Sequence, residues 1–154
     1  MTEITKNIWL GPCDNIEHEK YDAIVSIVPY YQIPKCAKEF KISDNFLHIS
    51  ILDVDDEFIF PHIDKFIKFM DDKINEDKKI YIHCVKGISR SATFVIIYLM
   101  YSKKIYNYQL ILDFVKSKRN IINPNRGFIK ALEIYQEWLK SDVSTNLIEF
   151  AYIH

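Results

Sequence analysis

Glycine is scarce in this chain. Three glycines and five prolines are spread over 154 residues, so sharp turns are few and each glycine needs a reason. Repeats, low-complexity tracts and linkers are missing, which leaves one domain, long enough to bury a core. Long apolar runs are missing as well. The longest, residues 92–101, has about ten residues, half of the ~20 that a bilayer requires. It reads as a buried helix, and no membrane partner is expected. Met1-Thr2-Glu3-Ile4-Thr5-Lys6 has no apolar leader core, so no secretory signal is expected. An excess of one charge is also lacking: 20 basic residues face 21 acidic ones, for a net −1. Such a balance gives no field to attract nucleic acid, and none is expected as a partner. Cys13, Cys36 and Cys84 show no paired spacing, which speaks against a disulfide framework and for a reducing compartment, cytoplasmic or nuclear.

What is present is an alternation of short apolar strands and amphipathic stretches. Strands are expected around residues 8–10, 21–28, 46–51 and 80–83, with a proline-fenced loop at 29–34. Pro61 suits the first turn of a helix, since Ile63, Phe66, Ile67, Met70 and Ile74 then share one face. Residues 91–102, apolar nearly all round, read as a helix buried on every side. Further helices are expected at 108–118 and 127–140, with Asn123-Pro124-Asn125 breaking between them. The fold class is α/β: a single domain with a central four- to five-stranded sheet flanked by helices. Residues 1–141 form that domain. The apolar tail, 142–154, is expected to pack on it or on a second subunit, as in a homodimer. Gly11 ends the first strand; Gly127 has no role legible in the sequence.

The densest information lies in His83-Cys84-Val85-Lys86-Gly87-Ile88-Ser89-Arg90-Ser91. A strand that ends in a tight loop and restarts as a helix aims its loop amides at one spot, where the helix dipole also favours an anion. Val85, Lys86, Gly87, Ile88 and Ser89 would supply that cradle, with Gly87 permitting close approach or positive φ. Arg90 can clamp two phosphate oxygens with its planar fork, which a lysine cannot. Cys84 can act as nucleophile. A free thiol has a pKa of about 8.5, leaving about 3% thiolate at pH 7, so the loop amides and Arg90 must lower it. Cys13 and Cys36 read as small buried hydrophobes. Ser91 stands where a hydroxyl commonly caps a helix. His83 is expected to orient the loop rather than carry a proton, and no second ligand accompanies it for a metal.

The pattern His83-Cys84-x-x-Gly87-x-Ser89-Arg90-Ser91 resembles the signature of the cysteine-dependent protein tyrosine phosphatases. Its Gly-x-Ser-Arg-Ser ending is most similar to the small dual-specificity branch. The resemblance runs from about Ile4 to about Leu139 and includes Ile122-x-Pro124-Asn125-x-x-Phe128, by physics a turn and a core anchor. It implies an α/β fold, a phosphorylated protein as partner, a phosphocysteine intermediate and no metal or organic cofactor. It also implies that the Ser91 hydroxyl helps the thiolate leave. A leaving alkoxide or phenoxide needs a general acid, and candidates cluster in Asp53-Val54-Asp55-Asp56-Glu57. Asp53 follows the third strand and lies 31 residues before Cys84, the kind of position the family gives its acid; Asp55 and Asp56 remain alternatives.

Three other readings stand beside the protein phosphatase. Lys86 adds a cation where relatives often carry a small residue, which suits a phosphoinositide or an RNA 5′-triphosphate unless its side chain points to solvent. A non-catalytic phosphoresidue-binding module is the second; such relatives usually lose the cysteine. A rhodanese-like sulfur-transfer loop is the third. Tyr30 and Tyr31 either line the cleft or cover the core edge.

Overall fold

In the computed structural model, residues 1–33, 43–141 and 144–154 are described; Pro34 and Cys36 lie outside them, as does the boundary expected at 141/142. Every residue of β3 (Ala23–Ile27) and β5 (Ile80–His83) is buried, the outcome for mainly apolar strands covered on both faces. With β1 (Thr2–Thr5), β2 (Ile8–Gly11) and β4 (Phe46–Ile49) they make one sheet in the order β1-β2-β5-β3-β4. β1 runs antiparallel to β2, and all other pairs are parallel. His83 is level with Gly11 on one side and with Ser26 on the other. The carboxyl ends of four parallel strands therefore open on one edge, the usual place for a ligand in such sheets.

Among the described residues five helices cover the sheet: α1 (Ile63–Asn75), α2 (Arg90–Lys103), α3 (Tyr108–Lys118), α4 (Arg126–Lys140) and α5 (Leu147–Ile153). Helix α2 is buried without a break from Arg90 to Met100. Phe94 of α2 meets Phe66 of α1 edge to face at 5.0 Å between ring centroids, while Phe128, Leu132 and Tyr135 bring α4 into the same core. Asn107, Asn125 and Asn146 cap α3, α4 and α5 with side-chain oxygens that accept free amides, each worth ~1 kcal/mol.

Three differences from the sequence reading have local causes. Strand β1 escaped it because only Ile4 of its four residues is buried, too little alternation to detect. Pro61 sits in a 3-10 turn, Phe60–His62, so α1 proper begins at Ile63. β4 ends at Ile49, two residues early, and Leu52 then donates its amide to Glu57 Oε1 at 2.9 Å instead of to a neighbouring strand. The tail forms α5, burying Leu147 and Ala151 and setting Tyr152 against Phe58 at 4.8 Å. Among the described residues no helix is long and apolar enough to cross a membrane.

Candidate active site

The turn between β5 and α2 wraps a buried thiol. Cys84 is only 3% exposed, and its Sγ lies 3.1 Å from the Ser91 hydroxyl. Burial pushes the thiol pKa up, but hydrogen bonds from the Ser91 hydroxyl and from the amides of Ser91, Ile88 and Gly87 push it down and prevail. A thiolate accepting several N–H and O–H groups is the activated form of cysteine. Gly87 permits the turn: its φ is +67°, and a Cβ there would collide with the Gly11 backbone.

His83 supports the loop from below. Its Nδ1 is 3.0 Å from the Cys84 carbonyl and its Nε2 is 2.6 Å from Ser26 Oγ. Burial lowers its pKa to about 4, so the ring is neutral at pH 7. A carbonyl only accepts, so the proton resides on Nδ1 and Ser26 donates to Nε2. Ser91, read as a capping residue, is corrected here: it lies inside the first turn of α2 with its hydroxyl on Cys84. Ser89 is the N-cap residue and makes no side-chain cap bond. Its Oγ instead accepts the Asn125 amide at 2.9 Å.

A cavity of about 500 Å³ opens above the thiol, lined by Cys84, Val85, Lys86, Ile88, Ser89 and Arg90 together with Asp53, Asn123 and Asn125. Arg90 is buried and donates from Nη1 to the Ile51 carbonyl at 3.2 Å. Its Nε is buried with no hydrogen-bond partner among the described residues. A buried donor without an acceptor is costly, and an anion in the cavity relieves that cost. Lys86 is exposed at the rim. Asp53 is exposed on the opposite wall, where its Oδ1 accepts from Asn125 Nδ2 at 2.9 Å. Asp55 instead faces Arg126, with 3.6 Å between Oδ2 and Nη2, and neither it nor Asp56 is part of the lining. Tyr30 and Tyr31 are not part of it either; both are exposed, Tyr30 beside His48.

Comparison with known sequences accords with this geometry. The sequence model of the family described as dual specificity phosphatase, catalytic domain, matches residues 9–137. The chain belongs to that family. It is similar to a protein of Invertebrate iridescent virus 6 named as a tyrosine phosphatase, with 38% identity over 91% of this chain and 94% of the relative. A protein of Amsacta moorei entomopoxvirus named as a tyrosine-protein phosphatase is 33% identical over 98% and 95%. Some cellular relatives are longer: the chain spans 17% of a rhodanese domain-containing dual specificity phosphatase of Dictyostelium discoideum. Among solved structures, the human tyrosine phosphatase-like serine/threonine/tyrosine-interacting protein superposes with a TM-score of 0.80 at 26% identity, over 92% of this chain and 98% of that one.

Membership makes the chain a cysteine-based dual-specificity protein phosphatase. Three parts of this phosphatase site were not legible as such in its sequence. Asn125, read as a turn, ties the Asp53 loop to Ser89 and caps α4 through Phe128 N. Gly127 lets the backbone at Asp55 lie on the start of α4, since a Cβ would strike the Asp55 carbonyl. Arg119 holds the outer side of the cysteine loop. Each works across a long sequence separation, which no local pattern announces.

Proposed function

We propose that the chain hydrolyses phosphotyrosine and phosphoserine or phosphothreonine in proteins, through a phosphocysteine at Cys84. One observation carries the reading: an activated thiol lines the same cavity as Arg90, whose buried Nε has no acceptor among the described residues. In the first step Cys84 Sγ attacks phosphorus and the ester P–O bond breaks. Arg90 holds non-bridging oxygens with the loop amides, and Asp53 gives its proton to the departing oxygen. In the second step water attacks phosphorus while the Asp53 carboxylate takes its proton. The S–P bond then breaks, and the Ser91 hydroxyl, 3.1 Å away, stabilises the returning thiolate. Every bond change is served by a side chain of the site. Phosphate esters of both aryl and alkyl type reach Cys84, because the short domain leaves little room for a loop that would deepen the cavity. A thiol of this kind requires a reducing compartment, so the protein works in cytoplasm or nucleus.

The test is hydrolysis of an aryl phosphate and a phosphopeptide by wild type, Cys84→Ser and Asp53→Ala, with chelator present. Activity is expected to survive chelation, to vanish in Cys84→Ser, and to fall in Asp53→Ala by ~10²-fold or more on the phosphoserine peptide. Binding of phosphopeptide with no turnover of either substrate overturns the reading in favour of a binding module. Lys86 at the rim supports a second, more anionic class. Faster turnover of a phosphoinositide or a 5′-triphosphorylated RNA than of any phosphopeptide would assign it.

A further inference from the structure

The thiol is activated by amides, and something must keep those amides turned inward. A peptide group is planar and trans, so its C=O and N–H point in opposite directions. Fixing the carbonyl therefore aims the amide. The backbone carbonyls behind this cavity are held from outside: Val85 O by the Cys13 amide at 3.0 Å and Ile88 O by the Asn123 amide at 2.8 Å. The two between them, Lys86 O and Gly87 O, are held by one side chain. Arg119, just past the end of α3, donates from Nε to Gly87 O at 2.9 Å and from Nη2 to Lys86 O at 3.1 Å. Its Nη1 donates to Thr2 Oγ1 at 3.1 Å, which anchors the guanidinium on β1.

The peptide groups that Arg119 holds are Lys86–Gly87 and Gly87–Ile88. Their amides are those of Gly87 and Ile88, two of the three backbone donors to the thiol. We infer that Arg119 is a positioning residue of the catalytic loop: from outside the cavity, its planar fork orients the Gly87 and Ile88 amides onto Cys84 Sγ. The fork matters beyond charge, because two carbonyls along one edge of a guanidinium are fixed as a pair, whereas an ammonium holds one at a time. This deepens the phosphatase reading above, yet its test does not depend on turnover.

Other charged or titratable groups around the thiol are Arg90, Lys86 and Asp53 in the cavity, with His83, Cys13 and Tyr81 behind it. All are retained in Arg119→Lys and Arg119→Met. The rate of Cys84 alkylation by iodoacetamide, followed on its own peptide by mass spectrometry across pH, reads the thiol directly. The midpoint is expected to move up by about one pH unit in both variants, with alkylation about tenfold slower below it. Turnover of an aryl phosphate is expected to fall in the same proportion at pH 6 and to recover above the new midpoint, which a merely loosened fold does not do. An unmoved midpoint in folded Arg119→Lys overturns the inference, because that variant keeps the charge and loses the fork. Should Arg119→Met not fold, Arg119→Lys decides alone. If wild type has a low alkylation midpoint but turns over nothing, the phosphatase reading falls while the Arg119 result still stands.

Discussion

The two halves of the site are built in opposite ways. The cysteine loop is contiguous: the proposed nucleophile, amide cradle, clamp and supporting hydroxyl lie within residues 83–91, and all but Val85, Lys86 and Ile88 are buried. The acid loop is exposed from residue 52 to 56 and borrows its shape. Arg90 holds its first carbonyl, Glu57 folds back on Leu52, and Asn125 grips Asp53 from 72 residues away. Gly127 lets the Asp55 backbone settle on α4. One half is buried and braced from behind by Cys13, Asn123 and Arg119; the other is exposed and has only such long-range contacts to shape it.

Arg90 is the place to break the contrast, because it serves both halves. Arg90→Lys removes the fork from the phosphate and the bond to Ile51 O, and turnover of every ester, aryl or alkyl, is expected to drop by ~10³-fold or more. A smaller loss confined to alkyl esters would put Arg90 with the acid loop alone. Asn125→Ser sharpens the contrast at lower cost. Serine still caps α4 but no longer reaches Asp53, so a phosphoserine peptide should turn over roughly tenfold more slowly, in line with ~1.5 kcal/mol for one hydrogen bond. With a good aryl leaving group the loss should shrink. Equal losses on both substrates would show that Asn125 acts through Ser89 and the cysteine loop instead.

The gentlest probe is pH, through His83. Its folded pKa of about 4 lies below the ordinary 6.5, so from pH 6.5 downward the unfolded chain takes a proton that the native ring refuses. Stability contributed by the neutral ring is complete above pH 6.5 and is lost as pH falls toward 4, by about 3 kcal/mol. Thermal melts of wild type and His83→Gln should converge in slope only above pH 6.5, the variant losing less on acidification. Parallel curves throughout would mean that His83 is not the titrating group.

Much of this was open to a reader of the sequence, for physical reasons. β3, β5 and α2 are continuous apolar runs, and a buried helix behind a buried strand leaves few alternatives. The range 108–118 matched α3 at both ends because Asn107 and Arg119 lie outside its periodic pattern. Asp53 follows a strand and stands 31 residues before Cys84 in the sequence, and it lies in the cavity wall; its role as the acid is the proposal tested by Asp53→Ala. The contacts that shape the site were not legible. Asn125 looks like any turn residue, Gly127 like any helix start, and Arg119 like a surface cation at a helix end. Their meaning is set by backbone that arrives from elsewhere, and one-dimensional periodicity carries no record of it.

The strand order has a consequence for the nascent chain. β2 and β3 are not paired with each other; β5 lies between them, paired to both, although it is the last of the described strands. Until residue 83 is available the earlier strands have a gap where the central one belongs, and closing it requires pairings of high contact order. Half-made chains expose unpaired strand edges and depend on protection from aggregation. The nucleophile follows the closing strand by one residue. The loop that carries it can therefore take its shape only once β5 has paired with β2 and β3.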